Sequence, residues 1–191
     1  MTDEDRPGRI IYSAIAVANW FIERNRTDQR ELTHLKLQKL LYFAQGWRLA
    51  YYDIPLFEVP IEAWRYGPVV RSIYHALNSR RKNEVITDFI EGYVLQGAAY
   101  SILGTSKMSH LDDETEGLME SVWDFYSKKS PWELVSISHA KKSPWDQVSK
   151  SFGDSEEAVD SGWSMAFSGR MIPVELMRSY FSSLRGRSKL T

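Results

Sequence analysis

Apolar residues recur at helical spacing from the start of the chain. Ile11, Ala14, Ile15, Ala18, Phe21 and Ile22 mark a first amphipathic helix that ends in the polar run "RNRTDQRE". Thr33 fits the N-cap of a second helix, "THLKLQKLLYFAQGWRLAYY". One side of it carries Leu37, Leu40, Leu41, Ala44, Trp47 and Tyr51; another carries Leu35, Tyr42 and Leu49. A helix apolar on two sides belongs between neighbours, so this one is expected at the centre of the fold. Gly46 within it costs about 1 kcal/mol relative to Ala, which points to a close helix crossing there.

The period then changes. Phe57, Val59, Ile61 and Ala63 alternate with Glu58, Pro60, Glu62 and Trp64, which is strand spacing. Pro55 and Pro60 cannot donate ladder hydrogen bonds, so the strand is expected to be short and at an edge. Pro68 suits the first position of a following helix with Val69, Val70, Ile73, Tyr74 and Leu77 on one face. Residues 85 to 108 read either as a strand and a helix or as two short helices. "DDETEGLMESVWDFYSK" reads as a helix with acids in its first turn and a stripe of Leu118, Met119, Val122, Trp123 and Tyr126.

Ser-Pro-Trp-acid occurs twice, at Ser130–Glu133 and Ser143–Asp146. Serine caps, proline occupies the first turn, and the acid reaches back to the cap. Each copy therefore predicts a short helix start, with its Trp packed onto the core. Residues 154 to 169 read as a loop or weak helix. Pro173 opens a last helix, about 172–184, with Val174, Met177, Phe181 and Leu184 on one face, and the basic tail after it is expected to fray. The fold class is mainly α: a single compact helical domain over 1–191 with a short edge β-strand pair.

Composition narrows the function classes. There is no cysteine, so disulfides, thiolate nucleophiles and Cys-based zinc sites are excluded. The formal net charge of -1 gives no general drive towards nucleic acid or anionic lipid. No apolar run is long enough for a membrane span, and the acidic start lacks the features of a signal peptide, so a cytoplasmic location is expected. His34, His75, His110 and His139 never stand four apart, and the glycines form no phosphate loop. No metal, cofactor or catalytic residue is expected. The unusual feature is 7 Trp, 10 Tyr and 8 Phe, which composition cannot divide between core and recognition surface.

Lys-Leu-Gln-Lys-Leu-Leu-Tyr-Phe-Ala-Gln-Gly at Lys36–Gly46, Pro-Leu-Phe at Pro55–Phe57, Glu-Ala-Trp at Glu62–Trp64, Tyr-Gly-Pro-Val at Tyr66–Val69 and "SHAKKSPW" with His139, Pro144 and Trp145 follow one another at characteristic separations. In this the chain resembles the Panacea domain of SocA-like and GepA-like bacterial and phage-associated proteins, with a core match over about 10–148. The resemblance implies a helical antitoxin that neutralises a cognate protein toxin, encoded beside it, by direct contact. It also implies an alternative, a proteolytic adaptor delivering the toxin to a ClpXP-type protease. It supplies no catalytic residues. Leu37, Leu40 and Leu41 are expected in the core, Gly67 and Pro68 in a strand-to-helix turn, and Pro144 and Trp145 as an anchor. Trp64, Arg65, Tyr66 and Arg71, clustered beside the expected edge strand, are the candidate partner contacts. A small hydrolase stands as a third class without support from any residue spacing.

Overall fold

A computed structural model describes residues 10–77, 84–96, 99–103, 111–150 and 170–186. The element order is α1 (Ala14–Asp28), α2 (His34–Tyr52), β1 (Ile61–Trp64), β2 (Gly67–Val70), α3 (Arg71–Ala76), β3 (Gly92–Gln96), β4 (Ala99–Leu103), α4 (Asp113–Tyr126), α5 (Pro131–Ser138), α6 (Pro144–Lys150) and α7 (Val174–Arg185). The mainly helical expectation holds. Residues 154 to 169 lie outside the described residues.

Helix α2 is the axis. Thr33 caps it by accepting from the Lys36 N–H at 3.3 Å. It packs against α1, α3, α4, α5, α7 and β2, so its polar positions are covered along with its apolar ones. Lys36, Gln38, Lys39, Gln45 and Arg48 are all buried. Two of them act as backbone clamps. The Gln45 amide oxygen accepts from the N–H groups of Leu56 (2.8 Å) and Phe57 (3.2 Å), and its NH2 donates to the Phe57 carbonyl at 3.0 Å. The Gln38 amide oxygen accepts from the Val70 N–H at 2.8 Å. Gly46 marks the crossing with α7, because a Cβ there would run into the Phe181 ring. Phe181 in turn packs edge-on against Tyr42 and Trp47, with centroids at 5.5 and 5.3 Å. On the α4 side Phe43 stacks on Tyr126 at 4.0 Å, and the Trp47 indole N–H donates to the Tyr126 hydroxyl at 3.0 Å.

Strands β1 and β2 form an antiparallel pair with Trp64 opposite Gly67 and Ala63 opposite Pro68. This corrects the placement of Pro68: it lies within β2, and the helix begins at Arg71, with Val70 serving as both the last strand residue and the N-cap. The Ala63 N–H points away from β2 and donates to the Arg170 carbonyl at 2.8 Å. Ala63 and Pro68 are thus a pair without mutual hydrogen bonds, and the missing proline N–H removes no ladder bond. Nor is the pair open at its outer edges. Ile172 N–H donates to the Ile61 carbonyl at 2.8 Å on one side, while Gln38 and Lys39 of α2 engage Val70 and Pro68 on the other. A partner strand has no free edge to join here.

Residues 92–103 form a second antiparallel hairpin, β3–β4, with Gly92 opposite Leu103. Neither sequence reading of that segment is observed. Tyr93, Val94, Tyr100 and Ile102 are aromatic or β-branched, and this preference prevails over the helix-like scatter of their neighbours.

The two Ser-Pro-Trp copies both start helices but end differently. In the first, the Ser130 hydroxyl accepts from the Glu133 N–H at 3.2 Å while the Glu133 carboxylate accepts from the Ser130 N–H at 2.7 Å, a complete capping box. In the second, Ser143 accepts from the Asp146 N–H at 3.1 Å, but Asp146 accepts from Lys142 N–H, one residue before the cap. Replacing Ser130 with Ala should lower stability by about 1 kcal/mol, read as a shift in the urea midpoint at unchanged slope.

Candidate functional site

The motif residues of α2, β1, β2, α5 and α6 converge on one region beneath the β1–β2 turn. Arg65 and Tyr66 form that turn, and the positive φ it requires falls on Gly67, at +96°. Gly67 is needed for a second reason. A Cβ there would lie 2.8 Å from the Lys39 side chain and 2.8 Å from the Ser138 hydroxyl. Lys39 is fully buried and its ammonium nitrogen donates to the Pro68 carbonyl at 2.9 Å. No carboxylate lies within ion-pair reach of it among the described residues. Burial therefore holds its pKa well below the ordinary lysine value.

Two histidines flank this lysine and share its environment. His34 is buried and its ring lies 5.0 Å from that of Tyr74. His139 stacks face to face on Trp145, centroids 3.4 Å apart. Burial, reinforced by the Lys39 charge, brings each imidazole pKa down from 6.5 to about 4; Asp146 opposes this only for His139. Both rings are neutral at pH 7.

Trp145 acts as an anchor: its indole N–H donates to the Trp64 carbonyl at 2.7 Å, joining α6 to β1. Trp64 is itself 2% exposed. Its ring packs 4.7 Å from Tyr74 and its N–H donates to the Glu62 carboxylate at 2.7 Å. Leu37, Leu40 and Leu41 are fully buried, and Pro144 is buried at the start of α6. Gly67 and Pro68 open β2 directly after the hairpin turn, correcting the strand-to-helix expectation: Gly67 takes the positive φ and Pro68 continues the strand.

Above this buried layer lies an exposed one. Arg65 is exposed and its guanidinium sits 5.7 Å over the Tyr66 ring. Tyr66 meets Trp132 edge to face at 5.7 Å. Arg71 is exposed, with its guanidinium 3.5 Å from the Glu62 carboxylate. Trp132 is 62% exposed, the reverse of the core packing read from its motif. Leu134, Val135 and Ser138 define the buried stripe of α5, and at about 100° per residue Trp132 falls outside it. Lys39, Gln38 and Gln45 also escaped the sequence reading; the two-sided apolar pattern of α2 was the sign that no solvent face remained for them.

The model of the family described as Antitoxin SocA-like, Panacea domain, matches residues 37–146, which hold all of these motif blocks except the first residue, Lys36. The chain belongs to the SocA-like Panacea family. A relative, Antitoxin SocA of Caulobacter vibrioides (strain NA1000 / CB15N), is 29% identical over 127 residues, 66% of this chain and 65% of the relative. The match thus spans just under two thirds of that protein's length. No solved structure matches the chain. Membership of the Panacea family supports an antitoxin role. Among the described residues no helix is long and apolar enough to cross a membrane.

Proposed function

We propose that this Panacea protein is the antitoxin of a toxin–antitoxin pair and neutralises a cognate protein toxin by direct contact through the face formed by Arg65, Tyr66, Arg71 and Trp132. Trp64 supports that face from below. The observation that carries the reading is Trp132: a large ring left 62% exposed against Tyr66, while Trp20, Trp47, Trp64 and Trp123 are buried. Trp, Tyr and Arg dominate the energetics of protein interfaces, and three of the four side chains here, Arg65, Tyr66 and Trp132, already contact one another. The buried layer does the holding. The action is binding and not catalysis.

The test expresses the protein encoded beside this chain alone, then with it. Growth arrest alone, with rescue and co-purification on co-expression, supports the proposal; a harmless neighbour overturns it. Trp132→Ala should weaken the purified complex by roughly 30-fold, about 2 kcal/mol, with an unchanged circular dichroism spectrum. A fall in toxin level on co-expression, in place of a stable complex, would replace neutralisation by occlusion with delivery to a protease.

A further inference from the structure

A groove of about 640 Å³ opens beside Trp132, between the entry to α2 and the α4–α5 corner. Its walls include Arg30, Lys36, Lys128 and Lys129, against two acids, Glu31 and Glu133. The acids are partly spoken for: Glu133 is held in the capping box of α5. Arg30 is also committed, to Asp28 at 3.3 Å and to the Ser127 hydroxyl at 2.8 Å, and Lys36 donates to the Arg30 carbonyl at 2.8 Å. Lys128 and Lys129 have no carboxylate within ion-pair distance among the described residues. Lys129 instead lies 4.7 Å over the ring of Phe125, which is 49% exposed.

The groove is thus a locally cationic surface on a chain whose net charge is -1. Pro131 and Glu133, the chain neighbours of the exposed Trp132, line it. We infer that the groove receives an acidic segment of the protein partner, its carboxylates meeting Lys128 and Lys129 while the partner's body covers Trp132 and Tyr66. The inference rests on the preceding section for the partner being a protein, and on the groove alone for its chemistry. Two lysines outside any ion pair, one of them over the exposed Phe125 ring at the groove's margin, suit carboxylates flanked by apolar residues, because the ammonium groups pair while the ring is covered.

The probe is a short fluorescein-labelled peptide rich in glutamate with one central tryptophan, followed by anisotropy at low salt. Lysine-rich and single-stranded RNA probes of the same length are run in parallel. The acidic peptide should bind, weaken as salt is added, and lose affinity about tenfold or more in the Lys128→Glu/Lys129→Glu variant. A Lys141→Glu/Lys142→Glu variant makes the same change in net charge elsewhere on the surface and should retain binding. Equal loss in both variants, no preference for the acidic peptide, or tighter binding of RNA would overturn the inference. Its failure is separable from that of the proposed function. If the groove variant leaves toxin binding intact while Trp132→Ala abolishes it, the contact face stands without the groove; if the neighbour is harmless, the peptide result is unaffected.

Discussion

Acidification from pH 7 to about 4 should cost the fold several kilocalories per mole, with most of the loss between pH 6.5 and 4. The sign follows from the two buried imidazoles. His34 and His139 titrate near 6.5 when unfolded and near 4 when folded, so the unfolded chain binds more protons in this window. Stability is fully present above 6.5 and falls as the pH drops towards the folded value. Each group is worth at most about 3.4 kcal/mol, and the partly exposed His139 less because solvent screens it. Lys39 adds a slope of the same sign at higher pH: its folded pKa lies well below 10.5, so folding is penalised at neutral pH and eased as the pH rises towards that value. Urea midpoints should therefore rise from pH 5 through 7 to 9. His34→Gln should flatten the acid limb of that curve. A midpoint independent of pH across the acid window would show that these rings are charged, and hence solvated, in the native protein.

Replacing Gln45 with Leu should be the most damaging single change of similar volume, lowering stability by about 3–5 kcal/mol. Three backbone groups depend on this amide: the N–H groups of Leu56 and Phe57 and the carbonyl of Phe57. Leu56 and Phe57 are 0% and 1% exposed, so water cannot take over. Each orphaned group costs about 1–3 kcal/mol, and the apolar replacement recovers only a fraction. Gln147→Leu, on the exposed face of α6, serves as the reference and should move the midpoint by less than about 0.5 kcal/mol. A loss at Gln45 no greater than at Gln147 would mean that the segment between α2 and β1 is held by its apolar side chains alone. The segment leads into the β1–β2 turn, so under the proposed function the same substitution should also weaken the complex with the toxin.

Both effects arise from one circumstance. Helix α2 is surrounded, and its Lys, Gln and His side chains were turned to internal use. The Lys39–Pro68 and Gln38–Val70 contacts hold β2, which presents Tyr66; the Trp145–Trp64 contact holds β1, which presents Arg65. The residues of the proposed contact face thus stand on a layer of buried polar groups whose pairing fixes one arrangement of the hairpin.

Local information was enough for much of this. The stripe at Leu37, Leu40 and Leu41, the Thr33 cap, the Ser130 capping box and the Gly46 crossing are set by residues within a few turns of each other, and they were legible for that reason. So was part of the alternation at 57–64, which is strand only at Ile61–Trp64, and so were the ordered motif blocks, which named the family. What tertiary packing alone decided lies wherever a side chain's partner is distant in sequence. Nothing near Pro68 says that Lys39 will take its carbonyl, and so nothing local distinguishes a strand from a helix start there. Two identical Ser-Pro-Trp triplets received opposite environments because Trp145 found the Trp64 carbonyl and the His139 ring, while Trp132 found only the half-exposed Tyr66. Hydrophobic periodicity reports which way a residue faces on its own helix; whether that direction holds another element or water is a property of the assembled chain.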